Sequence, residues 1–234
     1  MLWGWFDPVY LIFLAPAMLL AMWAQWRVRS AFAEAGRIAP HSGYTGAEAA
    51  QMVLHQAGID DVRIEPVYGF LSDHYVPGQR ILRLSPDVYS QSSLAAVGVA
   101  AHESGHAIQD ASRYPLLVIR NGLVPLASIG SGLSWIIIMV GFIFASMNII
   151  LAGIAAFSLV VLFQLVNLPV EVDASRRARI ALVDGGLVTP QEDVYVKKVL
   201  NAAALTYVAA TLSSILTLFY FLYRSGLLGG RRGN

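Results

Sequence analysis

The chain has 234 residues, of which 56% are hydrophobic and 13% are charged, and its formal net charge is +1. Soluble domains carry about a quarter charged residues, so this composition indicates an integral membrane protein. The lack of cysteine excludes disulfides, thiolate zinc sites and cysteine nucleophiles, and the near-zero net charge gives no indication of nucleic-acid binding.

The first hydrophobic segment predicts a transmembrane helix. Between Asp7 and Arg27 the chain carries no charge, and this run is long enough to span a bilayer as a helix. A cleaved signal peptide would begin with basic residues, whereas this segment follows an aspartate and precedes a stop-transfer pair, Arg27 and Arg29. We therefore predict that residues 1–29 form the first transmembrane helix.

Residues 30–120 are more polar and predict a small α+β module. Thr45-Gly-Ala-Glu48 is a capping-box pattern, which opens a helix that ends at Gly58. Hydrophobic and polar residues then alternate over Val62–Val67, which predicts a strand. Two further extended stretches flank Pro77-Gly78, and we predict that they form a β-hairpin.

A metal-binding motif lies on the next predicted helix, which Ser92 or Ser93 caps. Its residues read His102-Glu103-Ser-Gly-His106. Two histidines four residues apart project from one face of a helix and can bind one metal ion. Glu103 lies beside them, where a carboxylate can hold a metal-bound water and take its proton. The pattern therefore predicts a zinc site with a catalytic glutamate.

Two hydrophobic stretches follow the motif. No Asp, Glu, Lys or Arg occurs over residues 121–170, and this length is about twice one span, so we predict a hairpin of two transmembrane helices. The turn is expected near Ser146-Met147-Asn148. We predict a helix over residues 171–198, and a fourth transmembrane helix with a basic tail over residues 199–234.

Basic residues near the ends of the spans predict the orientation, because cytoplasmic loops carry an excess of Lys and Arg. Four spans place residues 30–120 and 171–198 on one side of the membrane. Nine basic residues near the ends of the spans lie on that side: Arg27, Arg29, Arg113, Arg120, Arg176, Arg177, Arg179, Lys197 and Lys198. Three lie on the other side: Arg224, Arg231 and Arg232. We therefore predict a multi-pass protein of the cell membrane whose catalytic side is cytoplasmic.

The third zinc ligand must come from outside the motif, since catalytic zinc needs three protein ligands. A metzincin-type site would have a histidine six residues past the second one, but that position is Ser112. Glu171 qualifies, because the topology returns it to the side of the motif and a carboxylate beside a bilayer needs a partner. Asp173 is the alternative. The two face different ways on a helix, so we favour Glu171 as the ligand and Asp173 as a residue that orients a ligand.

Seven characteristic stretches extend over nearly the whole sequence: Thr-Gly-Ala-Glu from residue 45, Asp-His-Tyr from 73, Leu-Arg-Leu-Ser from 82, Gly-Val-Ala-Ala-His-Glu-Ser-Gly-His-Ala-Ile-Gln from 98, Leu-Pro-Val-Glu from 168, Ala-Ser-Arg-Arg-Ala from 174 and Leu-Asn-Ala-Ala-Ala-Leu-Thr-Tyr-Val-Ala-Ala from 200. With these stretches the chain resembles the YugP-like membrane zinc metallopeptidases. The last two stretches are signatures of that family rather than general zinc motifs.

The resemblance implies a membrane zinc peptidase related to the larger membrane-embedded gluzincins. In the family the residue two positions past the glutamate is often an amide, which implies that Glu171 is the ligand. Gluzincins usually carry an acid four residues past this ligand. Ser175 stands there in this chain, so the resemblance implies that the carboxylate is missing or is supplied by Asp173.

His74 is a further candidate catalytic residue, since it lies in Asp73-His74-Tyr75 on a predicted strand. Peptidases of this kind can present substrate along an edge strand and stabilise the oxyanion with a His, Tyr or Arg. The alternative is a strand histidine whose hydrogen bonds are only structural.

Asp184-Gly185 suggests a different class, the site-2-type intramembrane proteases, which pair a similar histidine motif with Asp-Gly in a later span. The apolar part of the helix before His102 is too short to place the motif at mid-bilayer. Asp184 also follows a charged stretch rather than lying within a span. A helix-terminating turn is therefore the better interpretation of this pair.

The sequence thus predicts an α-helical integral membrane protein with about four transmembrane helices and a small α+β zincin-like catalytic module. We predict a Zn²⁺-dependent endopeptidase that cleaves membrane or membrane-proximal protein segments. The alternative is a catalytically silent scaffold with a structural metal. An open fourth coordination position would favour the enzyme, whereas a fourth protein ligand such as His74 would favour the scaffold.

Overall fold

A computed structural model describes residues 8–69 and 71–228. The elements, in chain order, are α1 (Pro8–Ala35), α2 (Gly46–Gln56), β1 (Arg63–Pro66), β2 (His74–Val76), β3 (Ile81–Leu84), α3 (Pro86–Ser90), α4 (Leu94–Ala111), α5 (Pro115–Ile143), α6 (Met147–Asp184) and α7 (Asp193–Arg224). The basic tail with Arg231 and Arg232, and the sequence before Pro8, lie outside the described residues.

Four of these helices, α1, α5, α6 and α7, are long and apolar enough to cross a membrane by length and composition. A largely helical protein with four candidate spans and a small sheet is the predicted fold class, which is thereby confirmed. The helices are longer than the predicted spans, since α1 continues past Arg27 and Arg29 and α7 begins at Asp193.

The hairpin turn falls where the sequence predicted it, because α5 ends at Ile143 and α6 begins at Met147. Glycines let the two helices approach closely beside this turn. A Cβ atom on Gly141 would lie 2.8 Å from the backbone nitrogen of Ile150, and one on Gly153 would lie 3.0 Å from that of Ile138. Small residues at such crossings are the usual means of packing helices in membranes.

Two compact units can be separated by their internal contacts. Of the described chain, the first comprises residues 8–23, 119–168 and 206–228. Its core is formed by aliphatic and aromatic side chains from α5, α6 and α7: Ile138, Ile150, Ile154, Phe157, Val161, Tyr220 and Phe221.

The second unit comprises Ala24–Val118 and Pro169–Leu205, so it contains every candidate site residue. Its sheet has the strand order β1-β3-β2, in which β3 pairs parallel with β1 and antiparallel with β2. The predicted hairpin is therefore confirmed. Leu82 and Leu84 of β3 are buried in one core cluster with Leu54 of α2 and with Ala100 and Ala107 of α4.

The two predicted helix caps of this unit are also present. The Thr45 hydroxyl accepts from the Glu48 backbone N–H while the Glu48 carboxylate accepts from the Thr45 N–H, which completes the capping box of α2. Ser93, one of the two residues proposed for the next cap, accepts from the Ala96 N–H and begins α4.

The chain beyond the hairpin differs from the sequence prediction. Residues 171–198 do not form one helix, because α6 continues through Pro169 to Asp184 and α7 begins only at Asp193. Gly186 ends α6 with φ of +68°, and the Leu187 N–H donates to the Leu182 carbonyl. This geometry is typical of a glycine-terminated helix, so the interpretation of Asp184-Gly185 as a helix-ending turn is confirmed.

Candidate metal centre

The two motif histidines share one face of α4, as their spacing predicted. Their ring centroids are 4.9 Å apart and their planes are nearly perpendicular. Both side chains are largely withdrawn from solvent, with exposed fractions of 13% for His102 and 10% for His106. An i, i+4 pair of imidazoles in this arrangement can place two nitrogen donors on one ion.

Glu171 of α6 brings a carboxylate to the same point. Its Oε2 atom lies 3.3 Å from His102 Nε2 and 3.4 Å from His106 Nε2, and the side chain is 4% exposed. One ligand atom from each of the three residues lies within 4.8 Å of the others. Among the described residues this is the group that could hold a metal ion. Two imidazoles and a carboxylate are a ligand set found in catalytic zinc sites, so the residues fit the predicted ion.

The close approach of α6 to α4 depends on Gly105, the small residue inside the motif. A Cβ atom at this position would lie 2.5 Å from the carbonyl oxygen and 3.2 Å from the Cα atom of Ala174. These are backbone atoms of α6, so no side-chain rotation could relieve the contact. The glycine therefore allows Glu171, three residues before Ala174, to reach the histidines.

Each histidine has a hydrogen-bond partner on its second nitrogen. The Nδ1 atom of His102 lies 3.1 Å from the Ser175 hydroxyl, and the Nδ1 atom of His106 lies 3.0 Å from Gln109 Oε1. Metal-binding histidines usually make such a bond on the nitrogen that faces away from the ion, which fixes the ring. Both Nε2 atoms are thus turned toward Glu171.

Glu103 is buried beside this group, with an exposed fraction of 8%. Burial of His106 disfavours its charged form, but hydrogen bonding and charge from Glu171, together with the charge of Glu103, outweigh burial and raise the pKa of His106. Glu103 follows His102 directly on α4 and is not one of the three residues of the metal-binding group.

Asp173, the alternative ligand, is not a member of the metal-binding group. Its carboxylate accepts from Arg176 and Arg177, at 2.6 Å in each case, and from the Gln109 side-chain nitrogen at 3.0 Å. The residue therefore contacts a partner of His106 and not the histidine itself.

His74 lies on the edge strand β2, is exposed, and is not a member of the metal-binding group. Its Nδ1 atom is 2.7 Å from the Ser72 carbonyl oxygen, which can only accept, so Nδ1 carries the proton of this bond. The Nε2 atom could then donate to an oxyanion only when the ring is doubly protonated. The neighbouring Tyr75 donates to Asp110 at 2.9 Å, and burial, with this bond and the Asp110 charge, raises the pKa of Tyr75.

The sequence interpretation missed Gln109, and it described Ser175 only as the lack of an acid. Both residues carry a signal that could have identified them. Gln109 lies three residues past His106 and Ser175 four residues past Glu171, so each shares a helix face with a proposed ligand.

The sequence model of a family described as "Putative neutral zinc metallopeptidase" matches residues 10–226. A Bacillus subtilis (strain 168) protein named "Putative membrane protease YugP" is 45% identical over 212 residues, which cover 90% of this chain and 94% of that protein. No solved structure matches the chain. The family match and the end-to-end similarity together show that the chain belongs to the "Putative neutral zinc metallopeptidase" family.

Proposed function

We propose that this protein is an integral-membrane zinc endopeptidase in which His102, His106 and Glu171 bind the metal and Glu103 is the general base. The observation that carries the proposal is the convergence of the two Nε2 atoms on one carboxylate oxygen of Glu171, at 3.3 and 3.4 Å. The B. subtilis relative is named a membrane protease, which supports the same reaction for this chain.

Each residue at the site has its own role in the proposed reaction. When bound, zinc would polarise the peptide carbonyl and acidify a water molecule. Glu103 takes a proton from the attacking water and passes it to the leaving amine. Ser175 and Gln109 hold the imidazole rings by their Nδ1 atoms, so that the Nε2 atoms face the ion. Because the site is shielded from bulk solvent, each of these electrostatic interactions is stronger than it would be in water.

Extended peptide segments near a membrane are the proposed substrates. β2 is an edge strand, and the outer backbone groups of such a strand can pair with an added peptide. His74 lies on β2 and is exposed, so we assign it a contact with bound substrate or its oxyanion.

The motif helix α4 ends four residues before the apolar helix α5, and Glu171 lies in the apolar helix α6. The proposed ligands thus lie within or close to candidate membrane helices, so we propose that substrates are cut near their own membrane spans.

A metal-bearing scaffold without activity is the competing function. A structural zinc site has four protein ligands, whereas a catalytic one keeps a position for water. Among the described residues the metal-binding group has three members, and His74, the fourth ligand considered from the sequence, bonds instead to Ser72. These observations favour the enzyme.

Metal analysis of the detergent-purified protein tests the proposal directly. The wild type should contain about one zinc per chain and cleave an unstructured peptide, whereas Glu171→Gln should lose both properties, because a neutral amide is a poor replacement for a buried carboxylate ligand. Glu65→Gln is the matched control, since Glu65 lies on β1, is not a member of the metal-binding group and forms ion pairs with Arg63 and Arg83. Zinc retained by Glu171→Gln at the wild-type level would contradict the assignment of this ligand.

Cysteine labelling tests the proposed topology, which requires an even number of crossings between His106 and Glu171. The chain has no native cysteine, so single cysteines can be introduced at the exposed positions Gln56, Gln191 and Asn148. In intact cells an impermeant maleimide should react only at position 148, in the hairpin turn. Opposite labelling at positions 56 and 191 would contradict the four-span topology, and labelling at both would reverse the cytoplasmic orientation.

A further inference from the structure

Gln109 is a fully buried polar side chain whose amide is engaged at both ends. Its Oε1 atom is 3.0 Å from His106 Nδ1, and its Nε2 atom donates to the Val170 carbonyl at 2.8 Å and to Asp173 at 3.0 Å. The residue is 0% exposed. It therefore joins His106, a proposed zinc ligand on α4, to the segment of α6 that carries Glu171.

The partners of Gln109 determine which way its amide points. A carbonyl oxygen and a carboxylate can only accept hydrogen bonds, so both N–H groups of the amide must face Val170 and Asp173. The amide oxygen must then face His106, and it can only accept. The proton in that bond must therefore lie on His106 Nδ1, which leaves the Nε2 atom as the one able to bind a metal.

Asp173 is itself held in place, because Arg176 and Arg177 donate to its two carboxylate oxygens at 2.6 Å. Arg177 also lies over the Tyr114 ring, with its guanidinium carbon 5.5 Å from the centroid. The Asp173 carboxylate, which two guanidinium groups hold in place, can still accept a hydrogen bond from the Gln109 amide. The chain of contacts thus runs from Arg177 through Asp173 and Gln109 to His106.

We propose that Gln109 is a positioning residue that fixes both the ring and the tautomer of His106 for metal binding, with Asp173 as its anchor. This inference rests on the proposed function. The two histidines differ in how firmly their Nδ1 proton is fixed. The Ser175 hydroxyl beside His102 can donate as well as accept, so it does not determine whether Nδ1 carries the proton. Loss of the Nε2 proton to make room for the ion therefore leaves His106 in the metal-binding tautomer, whereas the Ser175 hydroxyl permits either tautomer of His102.

The first test replaces Gln109 by methionine, which has a similar length and volume but forms no comparable hydrogen bonds. The zinc Kd, measured by competition with a chelator, should rise about 10–100-fold, as when partners of metal-bound histidines are removed elsewhere. The absorption spectrum of the cobalt(II)-substituted protein should also change, because His106 is no longer held. Ser175→Ala should raise the Kd less than Gln109→Met does. Gln91→Met is the control, because the Gln91 amide also donates to a carboxylate, that of Asp87, but on an exposed helix end.

The second test exchanges the amide of Gln109 and the carboxylate of Asp173. Gln109→Glu still accepts from His106 but turns a carboxylate toward two acceptors, the Val170 carbonyl and Asp173, so zinc affinity and thermal stability should fall. Adding Asp173→Asn removes the negative charge that faces the new carboxylate, because a neutral amide replaces the Asp173 carboxylate beside residue 109. The double variant should bind zinc more tightly and melt at a higher temperature than Gln109→Glu alone, a rescue that simple loss of packing does not predict.

The outcomes separate this inference from the proposed function. A wild-type protein that takes up no zinc would overturn both. Equal zinc Kd values for wild type and Gln109→Met, with unchanged cobalt spectra, would overturn the role of Gln109 alone. If Gln109→Met does not fold, the double variant decides, because a folded Gln109→Glu/Asp173→Asn protein that binds zinc no better than Gln109→Glu would also overturn it.

Discussion

Replacing Glu103 by glutamine is expected to lower kcat/KM by about 10²–10⁴-fold, the usual contribution of a general acid–base residue, while zinc remains bound. Glutamine has nearly the same shape but cannot accept a proton from water. Glu103 lies outside the group that could hold the metal, so its loss should leave the ligands in place. Peptide hydrolysis and zinc content, measured on the same preparation, check both parts of this prediction.

The variants His102→Ala and His106→Ala should be compared with Glu103→Gln. Each of them should lose both zinc and activity. The contrast distinguishes a proton-transfer role from a ligand role at adjacent positions of one helix. An empty metal site in Glu103→Gln would show that this carboxylate helps to bind the ion, and full activity would remove it from the mechanism.

Replacing Gly105 by alanine should separate α4 from α6 and abolish metal binding. In the interior of a helix this change would ordinarily stabilise the protein by about 0.5–1 kcal/mol. Here the new Cβ atom would lie 2.5 Å from the Ala174 carbonyl oxygen, and such overpacking costs about 1–3 kcal/mol. The contact is with backbone, so α6 must move and carry Glu171 away from His102 and His106. Thermal unfolding and zinc titration measure the two effects.

Gly122→Ala provides the matched control, because Gly122 is also helical but, among the described residues and apart from its own helix backbone and chain neighbours, no atom lies within 4 Å of an added Cβ. It should fold and bind zinc as the wild type does. A Gly105→Ala protein that binds zinc with the wild-type Kd would show that the two helices need not approach so closely.

The elements that could be predicted from the sequence are those with local causes. The Thr45 capping box, the strands around Pro77-Gly78 and the long uncharged runs each follow from the physical chemistry of neighbouring residues, and all are present. Glu171 could be chosen from afar because the predicted topology returns it to the side of the motif and because a carboxylate beside a bilayer needs a partner. The structure brings it to the two histidines.

What could not be predicted depends on how distant segments meet. The membrane-crossing helices extend beyond the predicted spans, since α6 continues past residue 170 to Asp184 and α7 begins at Asp193 rather than at residue 199. Hydropathy detects the apolar stretch and not the polar turns that continue the same helix. The short helix α3 was missed between β3 and α4. The bond from Gln109 to Val170 joins residues 61 positions apart, so no local pattern reveals it. Asp173 was expected to orient a ligand, and its contact with Gln109 gives a specific route by which it could do so.

The order of the proposed ligands along the chain has a consequence for biosynthesis. His102 and His106 precede the hairpin formed by α5 and α6, and Glu171 follows the hairpin turn by most of the length of α6. During translation the two histidines therefore leave the ribosome well before the carboxylate, which arrives only after both apolar stretches of the hairpin have been made. The proposed metal site therefore cannot be complete until residues 107–170, with both apolar stretches of the hairpin, have been synthesised. Metal binding at this site is thus a late step that follows the synthesis of the hairpin.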